Sequence, residues 1–160
     1  MRNSKWIRVR PLEVADFSFI RRLASKQTNF TSPPRYVLWL LRETNPRSCL
    51  VAEHAKLGPI AYLLSLPVNK SQVKALYVWQ LAASASGRRT GAIHLLLLAL
   101  RALVRRMRVK LIVFSAIPDS PDFRVIRRYA YTLFGDAPRS HQRLPSTVSR
   151  NEFEFMLKVR

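Results

Sequence analysis

Tyr77 to Ala92 reads YVWQLAASASGRRTGA and passes directly into the apolar run Ile93 to Leu100, IHLLLLAL. The first part has the composition of a strand. The second is a short, basic, glycine-bearing loop that opens a helix. At such a junction free backbone N–H groups and the positive end of the helix dipole attract an anion. A phosphate-bearing ligand is the first expectation.

Downstream, the helix is apolar through Leu100 and then basic at Arg101, Arg105, Arg106 and Arg108, so it should lie on a sheet with its C-terminal end in solvent, where cations suit the dipole. Val109–Phe114, VKLIVF, is short and rich in branched residues, which predicts a buried strand. Strand, helix, strand in that order implies a right-handed crossover and a parallel pair, Val73–Ala83 beside Val109–Phe114. The anion loop then sits at the carboxyl end of a parallel strand. Beyond it, Pro118–Asp122 starts a helix over Phe123–Phe134 that Gly135 ends, Asp136–Arg150 has no firm pattern, and Glu152–Val159, EFEFMLKV, is a last strand.

Upstream, Trp6–Arg10 alternates apolar and basic residues as a half-exposed strand does, and Pro11 closes it. Val14, Phe17, Ile20 and Leu23 recur at helical spacing, with Asp16 near the helix start. Lys26–Pro34 is a polar, proline-terminated loop, and Tyr36–Glu43 resumes a helical pattern. Cys49–Glu53 and Ile60–Leu66 flank turn chemistry at His54–Pro59, which predicts an antiparallel hairpin. Pro67–Gln72 predicts the next turn, and Val73–Ala83 the third strand of the meander.

The chain has 160 residues, 48% hydrophobic, enough for one domain with its own core. Its single Cys49 lies in an apolar run, which excludes a disulfide scaffold and a thiolate-rich metal site within one chain and fits a reducing, cytoplasmic setting. The N-terminus lacks the apolar segment of a signal peptide and the longest apolar run is broken by His94 and Arg101, so no membrane partner is expected. Lys and Arg total 28 against 9 acids, a net charge of +19. That field attracts polyanions at long range, so nucleic acid, an anionic surface and a phosphorylated cofactor are all drawn to it. The Arg residues are spread along the chain with no basic tail, and ordinary decoration of solvated faces is held ahead of dedicated nucleic-acid binding.

The order strand, two helices, three antiparallel strands, helix, strand, helix, strand resembles the GNAT acetyltransferase superfamily over essentially the whole chain. That superfamily carries Q/R-x-x-G-x-G/A after its fourth strand. Arg88-Arg89-Thr90-Gly91-Ala92-Ile93 supplies the Arg and the central Gly, with Ile93 where Gly or Ala is usual. Tyr77-Val78-Trp79-Gln80-Leu81-Ala82 is similar to the V-W-Q-V-A segment of the diaminobutyrate acetyltransferases of ectoine synthesis. Val51-Ala52-Glu53, Ile117-Pro118-Asp119-Ser120, Arg127-Arg128-Tyr129-Ala130 and Asn151-Glu152-Phe153-Glu154 add smaller matches to that family.

The resemblance implies an α/β GNAT fold: a mixed, mostly antiparallel sheet, a splayed parallel pair at strands four and five, and helices on both faces. It implies acetyl transfer from acetyl-CoA to a primary amine of a small molecule by direct attack in a ternary complex, and a homodimer that charge repulsion opposes. The cofactor would run along Leu81, Ala82 and Ala83, with its pyrophosphate on Arg88, Arg89, Thr90, Gly91 and Ala92. Trp79, Gln80 and Glu154 would face the amine, and Glu154 and Glu53 are the candidate catalytic carboxylates. Glu53 is equally open to an ion pair with nearby cations, and Trp79 to core packing.

Departures from the family fall on the acceptor side. No Tyr stands at Val125-Ile126-Arg127, where many GNAT enzymes place the acid that protonates the leaving thiolate. The acid expected between Asn29 and Arg35 and the His expected at Asn151 are missing. Two rivals follow: a nucleic-acid or polyanion-binding protein on this fold, and a GNAT-like protein that binds acetyl-CoA without turnover.

Overall fold

β1 (Ile7–Pro11) is followed by a 3-10 turn (Val14–Asp16), α1 (Phe17–Ala24), α2 (Arg35–Thr44), β2 (Leu50–His54), β3 (Gly58–Lys70) and β4 (Val73–Ala83). Then come α3 (Ala85–Thr90), α4 (Ala92–Arg106), β5 (Leu111–Ala116), α5 (Pro121–Phe134), β6 (Arg139–Arg143) and β7 (Phe153–Lys158). These elements come from a computed structural model that describes residues 6–27, 30–70, 72–118, 121–143 and 153–159. The seven strands are ordered β1-β2-β3-β4-β5-β7-β6, and helices flank the sheet. β4 and β5 are parallel, Ala75–Val78 against Leu111–Phe114, as the strand-helix-strand order requires.

The chain forms two compact units, Met1–Leu66 with Gln80–Leu100, and Pro67–Trp79 with Arg101–Arg160. In the first, α1 buries Phe17, Ile20, Leu23 and Ala24. Val14, expected on that stripe, is 48% exposed. The helix proper starts only at Phe17, because the Asp16 carboxylate reaches back to the Glu13 N–H (2.9 Å) and tightens the preceding turn. That carboxylate also receives both Nη atoms of Arg10, at 2.7 and 2.9 Å. In the second unit, the rings of Phe114, Phe123 and Phe155 pack together from β5, α5 and β7, with centroids 4.4 to 6.5 Å apart.

Four expectations are corrected. The turn over Pro67–Gln72 is mostly strand: β3 runs to Lys70, and side-chain exposure alternates from Pro67 onward as a strand dictates. Proline's fixed φ is compatible with that extended backbone, and the turn falls between Lys70 and Val73, where Gln72 takes φ 63°. The loop after β4 contains a helix, α3. The fifth strand begins at Leu111, because Val109 is spent closing α4 through its N–H to Val104 O (2.9 Å). Patternless Asp136–Arg150 holds β6, paired antiparallel to β7. Residues 144–150 lie outside the described residues, as do Asn29, Asp119, Ser120, Asn151 and Glu152. Among the described residues no helix is long and apolar enough to cross a membrane.

Candidate functional site

β4 carries the change from sheet to helix. Its pairing with β5 ends at Val78↔Phe114, while β4 itself continues to Ala83 and β5 to Ala116. Leu81 is half-buried and Ala82 and Ala83 are buried. Ser84 then docks the chain on β3 by donating its N–H to Ile60 O (2.8 Å), and its Oγ accepts the Gly87 N–H (3.1 Å) as the N-cap of α3. Gly87 is buried against β3. A Cβ there would stand 2.3 Å from Ile60 O and 3.2 Å from the Ala83 Cβ. A glycine is required at this point so that α3 can lie directly on the strand backbone.

Two helices therefore replace the expected open loop. The Arg88 N–H bonds to Ser84 O (2.9 Å) and the Gly91 N–H to Gly87 O, so neither is open to a ligand. Gly91, at φ 79°, breaks α3 from α4 with nothing near its Cβ position. It is needed for conformation rather than for space. The first α4 bond runs from the Leu95 N–H to Gly91 O (3.2 Å), which leaves the amides of Ala92 and Ile93 without an acceptor inside α4. Arg88 and Arg89 are exposed beside this start, and Arg88 Nη1 is steadied by Ala83 O (3.2 Å). Thr90 turns inward, donating its hydroxyl to Ser86 O and Gly87 O. The N-terminus of α4, with the exposed guanidiniums of Arg88 and Arg89 beside it, is the candidate site for an anion.

Gln80, the residue before this half-strand, is 4% exposed. Its Oε1 accepts from the Tyr62 hydroxyl (3.0 Å), and its Nε2 donates to Thr31 O (2.9 Å) in the segment between α1 and α2. Desolvation raises the Tyr62 pKa, which keeps its phenol a donor. Both ends of the Gln80 amide are committed to holding that segment on β4. The sequence pointed to Gln80, but Tyr62 and Thr31 carry no motif that would have found them.

Glu53 lies on β2 directly opposite Arg8 of β1. It accepts from Arg8 Nη2 at 2.8 Å and from Arg10 Nε at 3.1 Å. Hydrogen bonds from Arg10 and then Arg8 hold its pKa at about 2. A carboxylate bound in this way is a poor proton acceptor near neutrality and a good anchor for the β1–β2 edge. The unfolded Glu, with a pKa of about 4.3, takes up its proton before the folded one does, so stability should fall as pH drops from about 5 toward 2. Acid titration of the unfolding midpoint should show a flatter dependence in that window for Glu53→Gln; an identical slope would remove Glu53 from the network.

Trp79 and Glu154 belong to the second unit. Trp79 is half-buried and follows the last β4–β5 pair. Glu154 is the second residue of β7, opposite Ser115 of β5 and Gln142 of β6, and is 8% exposed. Lys70 Nζ, at the end of β3, donates to its Oε1 at 2.6 Å. The carboxylate thus holds a primary ammonium group, that of Lys70. On α5, Tyr131 is 69% exposed and Tyr129 is half-buried.

No family model and no curated protein sequence matches the chain. Solved structures do match. Ard1 from Thermoplasma volcanium superposes with a TM-score of 0.79 at 16% identity, over 97% of this chain and 99% of that one. Diaminobutyrate acetyltransferase EctA from Paenibacillus lautus, in complex with L-2,4-diaminobutyric acid and coenzyme A, gives 0.80 at 19%, over 95% and 94%. Naa50 from Arabidopsis thaliana, in complex with the bisubstrate analogue CoA-Ac-MVNAL, gives 0.71 at 12%, over 94% and 97%. The fold is that of these structures, the GNAT fold.

Proposed function

We propose that residues 1–160 form a single acetyl-CoA-dependent N-acetyltransferase domain acting on a primary amine. The observation that carries this is the junction after β4, where the ladder to β5 ends and Ser84, Gly87 and Gly91 set α3 and α4 in sequence. The residues there suit a coenzyme A pyrophosphate: Arg88 and Arg89 supply charge, and the amides of Ala92 and Ile93 supply donors at a helix start. Backbone groups of Leu81–Ala83 are in place to pair with an extended pantetheine arm, and an amide at Leu81 or Ala82 to polarise a carbonyl oxygen.

Acetyl-CoA would supply the thioester: the amine nitrogen bonds its carbonyl carbon, the C–S bond breaks, one proton leaves the nitrogen and one reaches the sulfur. The chain's contribution is mainly orientation of the two partners. By the family resemblance, Glu154 would hold an ammonium group in place of Lys70 and draw off its proton, and Trp79 would line the amine pocket. Glu53 keeps a structural role, and Gln80 fixes the segment between α1 and α2.

For the acceptor, a small-molecule amine fits the likeness to the diaminobutyrate enzyme, and a net charge of +19 favours an amine less cationic than diaminobutyrate. A polypeptide N-terminus is the second reading, favoured by the likeness to a structure holding CoA-Ac-MVNAL. Free-thiol release should be assayed against a panel of diaminobutyrate, monoamines and peptides with free N-termini. Turnover on one class names the acceptor; acetyl-CoA binding without turnover on any favours a non-catalytic protein. Glu154→Gln should lower kcat/KM for the amine by about 10²-fold and leave acetyl-CoA affinity unchanged. Unchanged kinetics would remove Glu154 from the site.

A further inference from the structure

In the second unit the fold gathers cations that the sequence scatters. The Lys110 N–H bonds to Lys74 O (3.1 Å), and the Val159 N–H bonds to Lys110 O (3.0 Å). Lys158 is paired with Leu111. The starts of β4 and β5 and the end of β7 therefore meet, each bringing an exposed lysine: Lys74, Lys110 and Lys158. The end of α4 adds Arg105, Arg106 and Arg108, all exposed. None of these six forms an ion pair among the described residues. Segments 67–79 and 101–118, which supply five of the six, contain no Asp or Glu. Lys74 also borders a concave hollow of about 410 Å³ whose lining includes Val68, Met107 and Val109.

Arg108 is the telling member. The Arg108 N–H bonds to Arg105 O (3.1 Å) and the Val109 N–H to Val104 O (2.9 Å), which is a Schellman cap, with Val104 and Val109 both buried against it. The residue at the cap's left-handed position is usually glycine, because a Cβ there crowds the following carbonyl. Here it is an arginine at φ 54°. Local conformation does not call for that side chain.

We infer that this rim of Lys74, Arg105, Arg106, Arg108, Lys110 and Lys158 is a docking surface for the phosphate backbone of nucleic acid. The inference is independent of acetyl transfer. Nucleic acid is favoured over an anionic membrane because the rim residues are all cationic. An interfacial membrane surface would interleave exposed Trp, Phe or Leu with them; the apolar side chains beside these cations are Val73, exposed, and Met107 and Leu111, half-buried, with no exposed aromatic among them. A phosphodiester backbone needs only spaced cations, and its binding gains from release of condensed counterions.

The test is fluorescence anisotropy of the intact chain with short labelled single-stranded RNA and duplex DNA over a salt series, beside anionic vesicles. Charge reversal by Arg105→Glu, Arg108→Glu and Lys110→Glu together should weaken RNA binding about a hundredfold near ~0.1 M salt and lower the salt slope by about 2. The same number of reversals on α1 and just after it, Arg21→Glu, Arg22→Glu and Lys26→Glu, changes net charge identically and should cost far less. Arg108→Gly should keep or raise thermal stability, since glycine suits the cap, and still weaken binding. The inference is overturned if the two triple variants lose affinity equally, if vesicles bind more tightly than RNA or DNA, or if no nucleic acid binds at low salt. Preference between RNA and DNA names the natural ligand.

Discussion

Asp16→Ala should lower the unfolding free energy by about 3–5 kcal/mol, a large share of the 5–15 kcal/mol typical of a folded domain. Asp16 is 1% exposed, and its two oxygens take both Nη atoms of Arg10 and the Glu13 N–H. Removal leaves the guanidinium, itself largely enclosed, with Glu53 as its main partner and leaves the Glu13 N–H, at the 3-10 turn before α1, without its acceptor. The Arg10 pKa is raised chiefly by its hydrogen bond to Asp16, in line with a strongly held cation. Urea unfolding should show the midpoint falling at unchanged slope. Replacing the pair together, Arg10→Met with Asp16→Leu, should recover part of the loss, because no buried charge is then stranded. A loss under about 1 kcal/mol for Asp16→Ala would mean that water reaches the pair.

Gly87→Val should have the largest effect on cofactor binding. The obstructing atom is a backbone oxygen, Ile60 O at 2.3 Å, and it is also the acceptor for the Ser84 N–H. It cannot swing away as a side chain can. Forcing α3 off β3 should cost about 1–3 kcal/mol of stability and displace Arg88, Arg89 and the α4 start, with acetyl-CoA affinity falling at least about tenfold. Gly91→Ala is the comparison. Its Cβ meets nothing, so the cost is the left-handed backbone alone, about 1 kcal/mol, with a smaller change in affinity. Equal effects at the two glycines would contradict the close packing of α3.

The order of elements and the parallel pair were legible because an apolar strand, a glycine-bearing basic junction, a long apolar helix and the short branched run VKLIVF follow one another, which forces a crossover. Local pattern could not reveal what depends on a distant partner. Gly87 is one glycine among several in the sequence until Ile60 O is seen beneath it. β6, RSHQR, has no apolar alternation and is a strand because β7 offers it a ladder. Asp16 was visible as an acid near a helix start, but its bidentate hold on Arg10 follows from β1 lying alongside. The cations of the rim are separated by up to 84 positions, from Lys74 to Lys158, and only the sheet order brings them together. On the acceptor side, Trp79 and Glu154 are assigned by resemblance alone, while Lys70, a partner of Glu154, was hidden in what read as a turn.

The most direct measurement is a calorimetric titration of acetyl-CoA into the intact chain and into the folded double variant Arg88→Ala, Arg89→Ala. The junction after β4, if it is the cofactor site, gives saturable one-to-one binding that weakens at least about tenfold when the two guanidiniums are removed. No binding to the intact chain, or binding indifferent to both arginines, would contradict it.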